Sequence, residues 1–114
     1  MNLDQAKKLG ADLLRDLGYG KEGYFWADTV DGVNLVLGRK REFEGTNRLD
    51  HKDPKGVYYV RFFLSTGKAG GGYVNYLFHR KNEQNRVPKR AYVKLFEPFG
   101  RVLGTGYYLA DRDI

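Results

Sequence analysis

Cysteine is absent from this chain, which excludes a disulfide framework and thiolate metal sites and leaves either side of a bacterial membrane open to it. Ser65 is the single serine and the only histidines are His51 and His79, so nothing sets up a hydrolase triad, and no threonine or carboxylate is placed beside a base. No apolar run approaches the roughly 18 to 20 residues that cross a bilayer, and Met1 leads into the polar NLDQAKK rather than a signal peptide. The cluster from Asp50 to Asp53 lacks a second histidine at ligating spacing and reads as a solvated loop or helix cap. No cofactor is called for: GTGYYL carries two of the three glycines of a dinucleotide fingerprint late in a strand, and TGKAGGG reverses the order of a phosphate loop.

What is present suits one domain over residues 1–114, with 41% hydrophobic and 15% aromatic residues to build a core. Twenty Lys and Arg against fourteen Asp and Glu give a formal charge of +6, which favours anionic partners: nucleic acid, acidic lipid or a carboxylate. Leu3, Ala6, Gly10, Leu13 and Leu17 recur at helical spacing between Asn2 as cap and Gly18 as stop, predicting a helix over 3–17. Tyr24 to Thr29 and Val33 to Leu37 flank Asp31-Gly32 and predict a hairpin. The long polar stretch after it reads as a functional loop or short lid. Asp53-Pro54 predicts a second helix that runs to Gly67 and presents Val57, Val60, Phe63 and Leu64. Strands follow at Tyr73 to His79 and on both sides of the EPFG turn. The order helix, strand, strand, helix, strand, strand, strand is α+β, with a five-stranded antiparallel sheet.

The final hairpin carries the most chemistry. Arg90, Tyr92, Lys94 and Phe96 alternate with Ala91, Val93 and Leu95, placing cations and rings on one strand face. Gly104 and Gly106 leave a bare patch on the returning strand, with space for something else. Tyr24 and Trp26 share a face of the first strand, where core packing competes with a role as pocket wall and donor to a carboxylate. Lys89, Arg90, Tyr92 and Lys94 cannot all be core, and a solvated strand face competes with a site in which PKRAYVK offers a small carboxylate a cation and a phenol at neighbouring positions.

The words GYFW, the DxxDG turn, EG before Asn47, DPKG, GGGY, PKxxYVKxFEP and GTGYY, in that order, resemble the single Cache sensory domains of type 2 over nearly the whole chain. The resemblance implies a PAS-like fold and a periplasmic, non-enzymatic ligand-binding module of a chemoreceptor or sensor kinase. It implies membrane helices before Asn2 and after Ile114 in the parent receptor, where the domain could pair as a homodimer. It directs attention to Lys89 and Tyr92 of the PKxxY motif, with pocket roles for Tyr24 and Trp26. Leu37 and Gly38 stand where the family often has a His-Pro pair, and Arg39 is the candidate guanidinium clamp in its place.

Three functions compete. The leading one is a sensor for a small organic acid, held between the sheet and the loop from Arg39 to Lys52 by Tyr24, Trp26, Arg39, Lys89 and Tyr92. Single-stranded RNA binding has RAYVKLF and the charge in its favour but the wrong order of elements, so no nucleic-acid partner is expected. A structural or dimerisation domain with a vestigial pocket is the third.

Overall fold

A computed structural model describes residues 1–19, 23–37, 40–79 and 85–109. The first element, α1, spans Leu3–Asp16 and begins with a capping box: Gln5 donates its amide to the Asn2 side chain at 2.8 Å, and the Gln5 side chain accepts the Asn2 amide at 2.9 Å. The face turned to the protein is Gly10, Ala11 and Leu14, around a 190 Å³ apolar cavity completed by Ala27, Phe96, Phe99 and Leu103. That differs from the stripe the spacing suggests, because Leu3, Leu13 and Leu17 stay half exposed. Polar contact supplies the anchorage that packing does not. The Arg15 guanidinium forks onto Glu44, with the shortest contact 3.0 Å, and Glu44 accepts the Leu37 amide at 3.1 Å.

Six strands among the described residues form one antiparallel sheet: β1 (Gly18–Tyr19), β2 (Gly23–Thr29), β3 (Asn34–Leu37), β4 (Gly72–His79), β5 (Arg86–Phe96) and β6 (Arg101–Tyr108). The path β1-β2-β6-β5-β4 brings the early strand β2 against the last one, and β3 pairs with β2 through the expected hairpin, where Gly32 has φ 92°. All five expected strands are present; β1 is an addition too short to leave a periodic signal. Helix α2 (Tyr59–Lys68) covers the inner face of the sheet and buries Tyr59, Val60, Phe63, Leu64 and Gly67 among Trp26, Val74, Val93 and Val102.

The second helix starts at Tyr59 rather than after Asp53. Asp53 instead closes a turn, accepting the Lys55 and Val57 amides on one oxygen at 2.9 and 3.0 Å, and Gly56 at φ 82° takes the chain out of any helical path. Its other oxygen accepts the Leu77 amide at 3.0 Å, on the open edge of β4, and so straps the loop to the sheet. Burial by itself would raise this carboxyl, but the Val57, Leu77 and Lys55 amides outweigh it and hold Asp53 below the usual carboxylate range. The stabilisation is therefore present above the unfolded pKa and lost as pH falls through the lower folded one. Asp53→Asn turns a donor toward the Leu77 amide and should cost about 1–3 kcal/mol at neutral pH. Urea unfolding of both proteins should show that gap shrink in acid, as the parent carboxyl protonates.

Candidate ligand-binding site

Strand alternation decides which side chains meet. On β2, Tyr24, Trp26 and Asp28 face α2; on β5, Lys89, Ala91 and Val93 do the same, while Arg90, Tyr92 and Lys94 face outward. Tyr24, Trp26 and Lys89 thus converge on the inner side. Tyr92 lies three residues from Lys89, which sends it to the opposite face, where it packs edge-on to Tyr73 at 5.3 Å and is 42% exposed. It cannot share a pocket with Lys89. Arg39 lies outside the described residues.

Lys89 is fully buried, and its Nζ donates to the Tyr24 hydroxyl at 2.6 Å. Among the described residues five rings surround that nitrogen: Tyr24 at 4.1 Å, Trp26 and Phe78 at 4.9 Å, Tyr108 at 5.1 Å and Tyr76 at 5.8 Å to the ring centre. Each such contact contributes up to about 2 kcal/mol once water is excluded, which offsets part of the cost of removing the charge from solvent. Burial pushes the Tyr76 phenol well above its ordinary value, reinforced by Tyr24, so this ring of the cage stays neutral. A cavity of about 380 Å³ is lined by Lys89 together with Tyr76, Val57 and Leu109. The indole Nε1 of Trp26 is buried with no acceptor among the described residues.

The bare patch on β6 is filled by the site's own side chains. A Cβ on Gly104 would lie 2.4 Å from the Trp26 indole; one on Gly106 would lie 2.7 Å from the Arg90 carbonyl oxygen and 3.1 Å from Cε of Lys89. The two glycines exist so that a large ring and a long cationic stem can lie flat across the strand.

A second polar cluster closes the site on the hairpin side. Asp28 and Arg48 are almost completely buried, 3.3 Å apart, and Asn34 donates to the same Asp28 oxygen at 3.0 Å. Burial raises the Asp28 carboxyl, against the pull of Arg48 and Asn34. The backbone follows: the Arg48 amide donates to Gly32 at 2.9 Å and the Asn34 amide to Thr46 at 2.8 Å, so this part of the polar loop is a fixed cover. Sequence reasoning missed Arg48, Tyr76, Phe78 and Tyr108. The β4 alternation could have offered Tyr76 and Phe78, but that they flank Lys89 depends on register, where Tyr76 and Tyr108 sit opposite Lys89 on either side.

An antiparallel sheet backed by a helix, with a caged cation on its covered face, defines a PAS-like small-molecule sensor domain. The profile of the single Cache domain 2 family matches residues 1–113, and the chain belongs to that family. It is 36% identical over 108 residues to the sensor histidine kinase MctS of Rhizobium johnstonii, an alignment that takes in 95% of this chain and 23% of the kinase. The chain therefore spans about a quarter of that relative's length. Among solved structures it resembles a periplasmic sensor domain of a chemotaxis protein (28% identity, TM-score 0.92, 96% of this chain and 77% of that one). It resembles equally a Cache chemosensory domain described for carboxylic acid recognition (29% identity, TM-score 0.92, 96% and 76%). Domains of this family are ligand-binding signalling modules on the periplasmic side of membrane receptors, not enzymes.

Two substitutions test this construction. Gly104→Ala forces the Trp26 ring aside and should cost about 1–3 kcal/mol, seen in urea unfolding together with a change in tryptophan emission. Arg48→Met strands the Asp28 carboxylate and should cost about 3–5 kcal/mol, with part recovered when Asp28→Asn is added.

Proposed function

We propose that the domain binds a short organic carboxylate beside Lys89 and reports its occupancy to a kinase or chemotaxis output elsewhere in the receptor. The observation that carries the reading is the buried Lys89 ammonium in its ring cage, bonded to Tyr24 and next to the Trp26 indole, whose Nε1 meets no acceptor among the described residues. An ammonium bonded to a phenol in an apolar enclosure suits a single carboxylate, whose oxygens accept from both. The solved relative described for carboxylic acid recognition supports the ligand class. A route outward is present as well: the loop that Arg48 pins beneath the sheet also carries Glu44, which grips Arg15 of α1. A ligand that favours one arrangement of this loop would bias α1, and in the intact receptor the membrane segments beyond it. Half-exposed Leu9 and Leu13, one turn apart on α1, with Leu17 at its C-cap, suit pairing with a second copy there.

A thermal-shift screen with acetate, propionate and succinate tests the class. At a hundred times its dissociation constant a ligand adds about 2.7 kcal/mol, a rise on the order of 10 °C for a domain near this size. Lys89→Met keeps the stem and removes the charge, so affinity should fall about ten- to a hundredfold by calorimetry, with circular dichroism unchanged. Equal affinity in the folded variant would sink the placement of the carboxylate at Lys89.

A further inference from the structure

A separate cavity of about 390 Å³ lies between the loop at Asp50 to Lys52 and the end of β4, sharing Phe78 with the cage but not lined by Lys89. Its apolar wall is Phe43, Tyr59, Leu77 and Phe78; its polar wall is His51, Lys52, His79 and Arg86. The remaining lining residue, Asp50, is turned to solvent, with its side chain 95% exposed and paired to Arg61 at 2.8 Å. The cavity thus has cations on one side, with its lining carboxylate turned to Arg61 and the neighbouring Asp53 bonded to the Lys55, Val57 and Leu77 amides.

Local hydrogen bonds sharpen this. Arg86 donates from Nη1 to the Lys52 carbonyl and from Nε to Nε2 of His79, each at 3.4 Å. An accepting Nε2 leaves the neutral His79 ring with its proton on Nδ1, and Nδ1 is buried with no partner among the described residues. The pull on His51 agrees: burial lowers it first, and Arg48 and Arg86 lower it further against Asp50, the mark of a positive field.

We propose that this cavity is a second anion site, taking a carboxylate that carries an aromatic or branched hydrocarbon body. The carboxylate would meet Lys52 and Arg86, and the hydrocarbon would lie on Tyr59 and Phe78. The volume is in the range of small-molecule pockets, and the division into one charged and one apolar wall matches an amphipathic anion rather than a bare one.

Benzoate is the probe. Calorimetry should show it binding the parent and Lys89→Met equally, and about tenfold or more weakly to the double variant Lys52→Met/Arg86→Met. The double variant should keep any thermal shift that short carboxylates give the parent. In parallel, amide NMR of the parent should show benzoate moving His51, Lys52, Leu77 and Arg86, a readout that needs no variant to fold. Absence of binding at millimolar benzoate, full affinity in the folded double variant, or loss of benzoate binding in Lys89→Met would each overturn the second site. The last outcome would move benzoate into the Lys89 cage, whereas silence from short carboxylates alone would count against the cage reading and leave this one standing.

Discussion

Moving a lysine ammonium from water into a protein interior costs several kcal/mol, and at Lys89 the protein meets that cost with electron-rich faces and one phenol. The rings come from three strands that are not consecutive in the chain: Tyr24 and Trp26 from β2, Tyr76 and Phe78 from β4, and Tyr108 from β6. Only one register of β4, β5 and β6 puts Tyr76 and Tyr108 opposite Lys89 on its two sides. A one-residue slip would expel the lysine to the solvent face and expose the cage. Room for the arrangement comes from Gly104 and Gly106, where any side chain would meet the indole or the lysine stem.

The cover over this face is held differently. Loop residues 44–53 reach the rest of the fold mainly through polar contacts: Glu44 to Arg15 and Leu37, Arg48 to Asp28 and Gly32, Asp53 to the Leu77 amide. Contacts of this kind are directional, so they define discrete arrangements. A sensor needs such a part between a rigid sheet and a helix that leads away. The charges that hold the cover are buried enough to escape much screening, which keeps their geometry independent of the ionic strength around them.

Alternation and turn chemistry made the element order and the inner face of β2 legible: Tyr24 and Trp26 share a side because they are two residues apart, and Asp31-Gly32 makes the hairpin. The same rule already separated Lys89 from Tyr92, three apart on one strand; grouping them by motif instead overrode it. Lys89 was harder to place, since a cation reads as solvated until the rings around it are known, and those rings are set by pairing between distant segments. Asp53 misled for a related reason. Its residue type suits a helix cap, but an open strand edge and a glycine three residues later made a turn-closing strap the better use of its two oxygens. Arg39 lies outside the described residues.

The two candidate anion environments differ in what they can discriminate. At about 4 Å, opposite unit charges attract by roughly 1 kcal/mol in water and about 4 kcal/mol at the effective dielectric of a protein site. Beside fully buried Lys89 the larger figure applies, but enclosure by five rings limits the size of what can arrive, so the cage favours a compact anion. Around Lys52 and Arg86, both exposed, the attraction is closer to the smaller figure. There an anion must derive most of its affinity from apolar contact with Tyr59 and Phe78, so shape and hydrocarbon content rather than charge decide what stays. Phe78 belongs to both walls, and Tyr59 of the open cavity stacks on Tyr76 of the cage at 4.9 Å, so these rings are surfaces through which occupancy of the open cavity can be felt in the closed one.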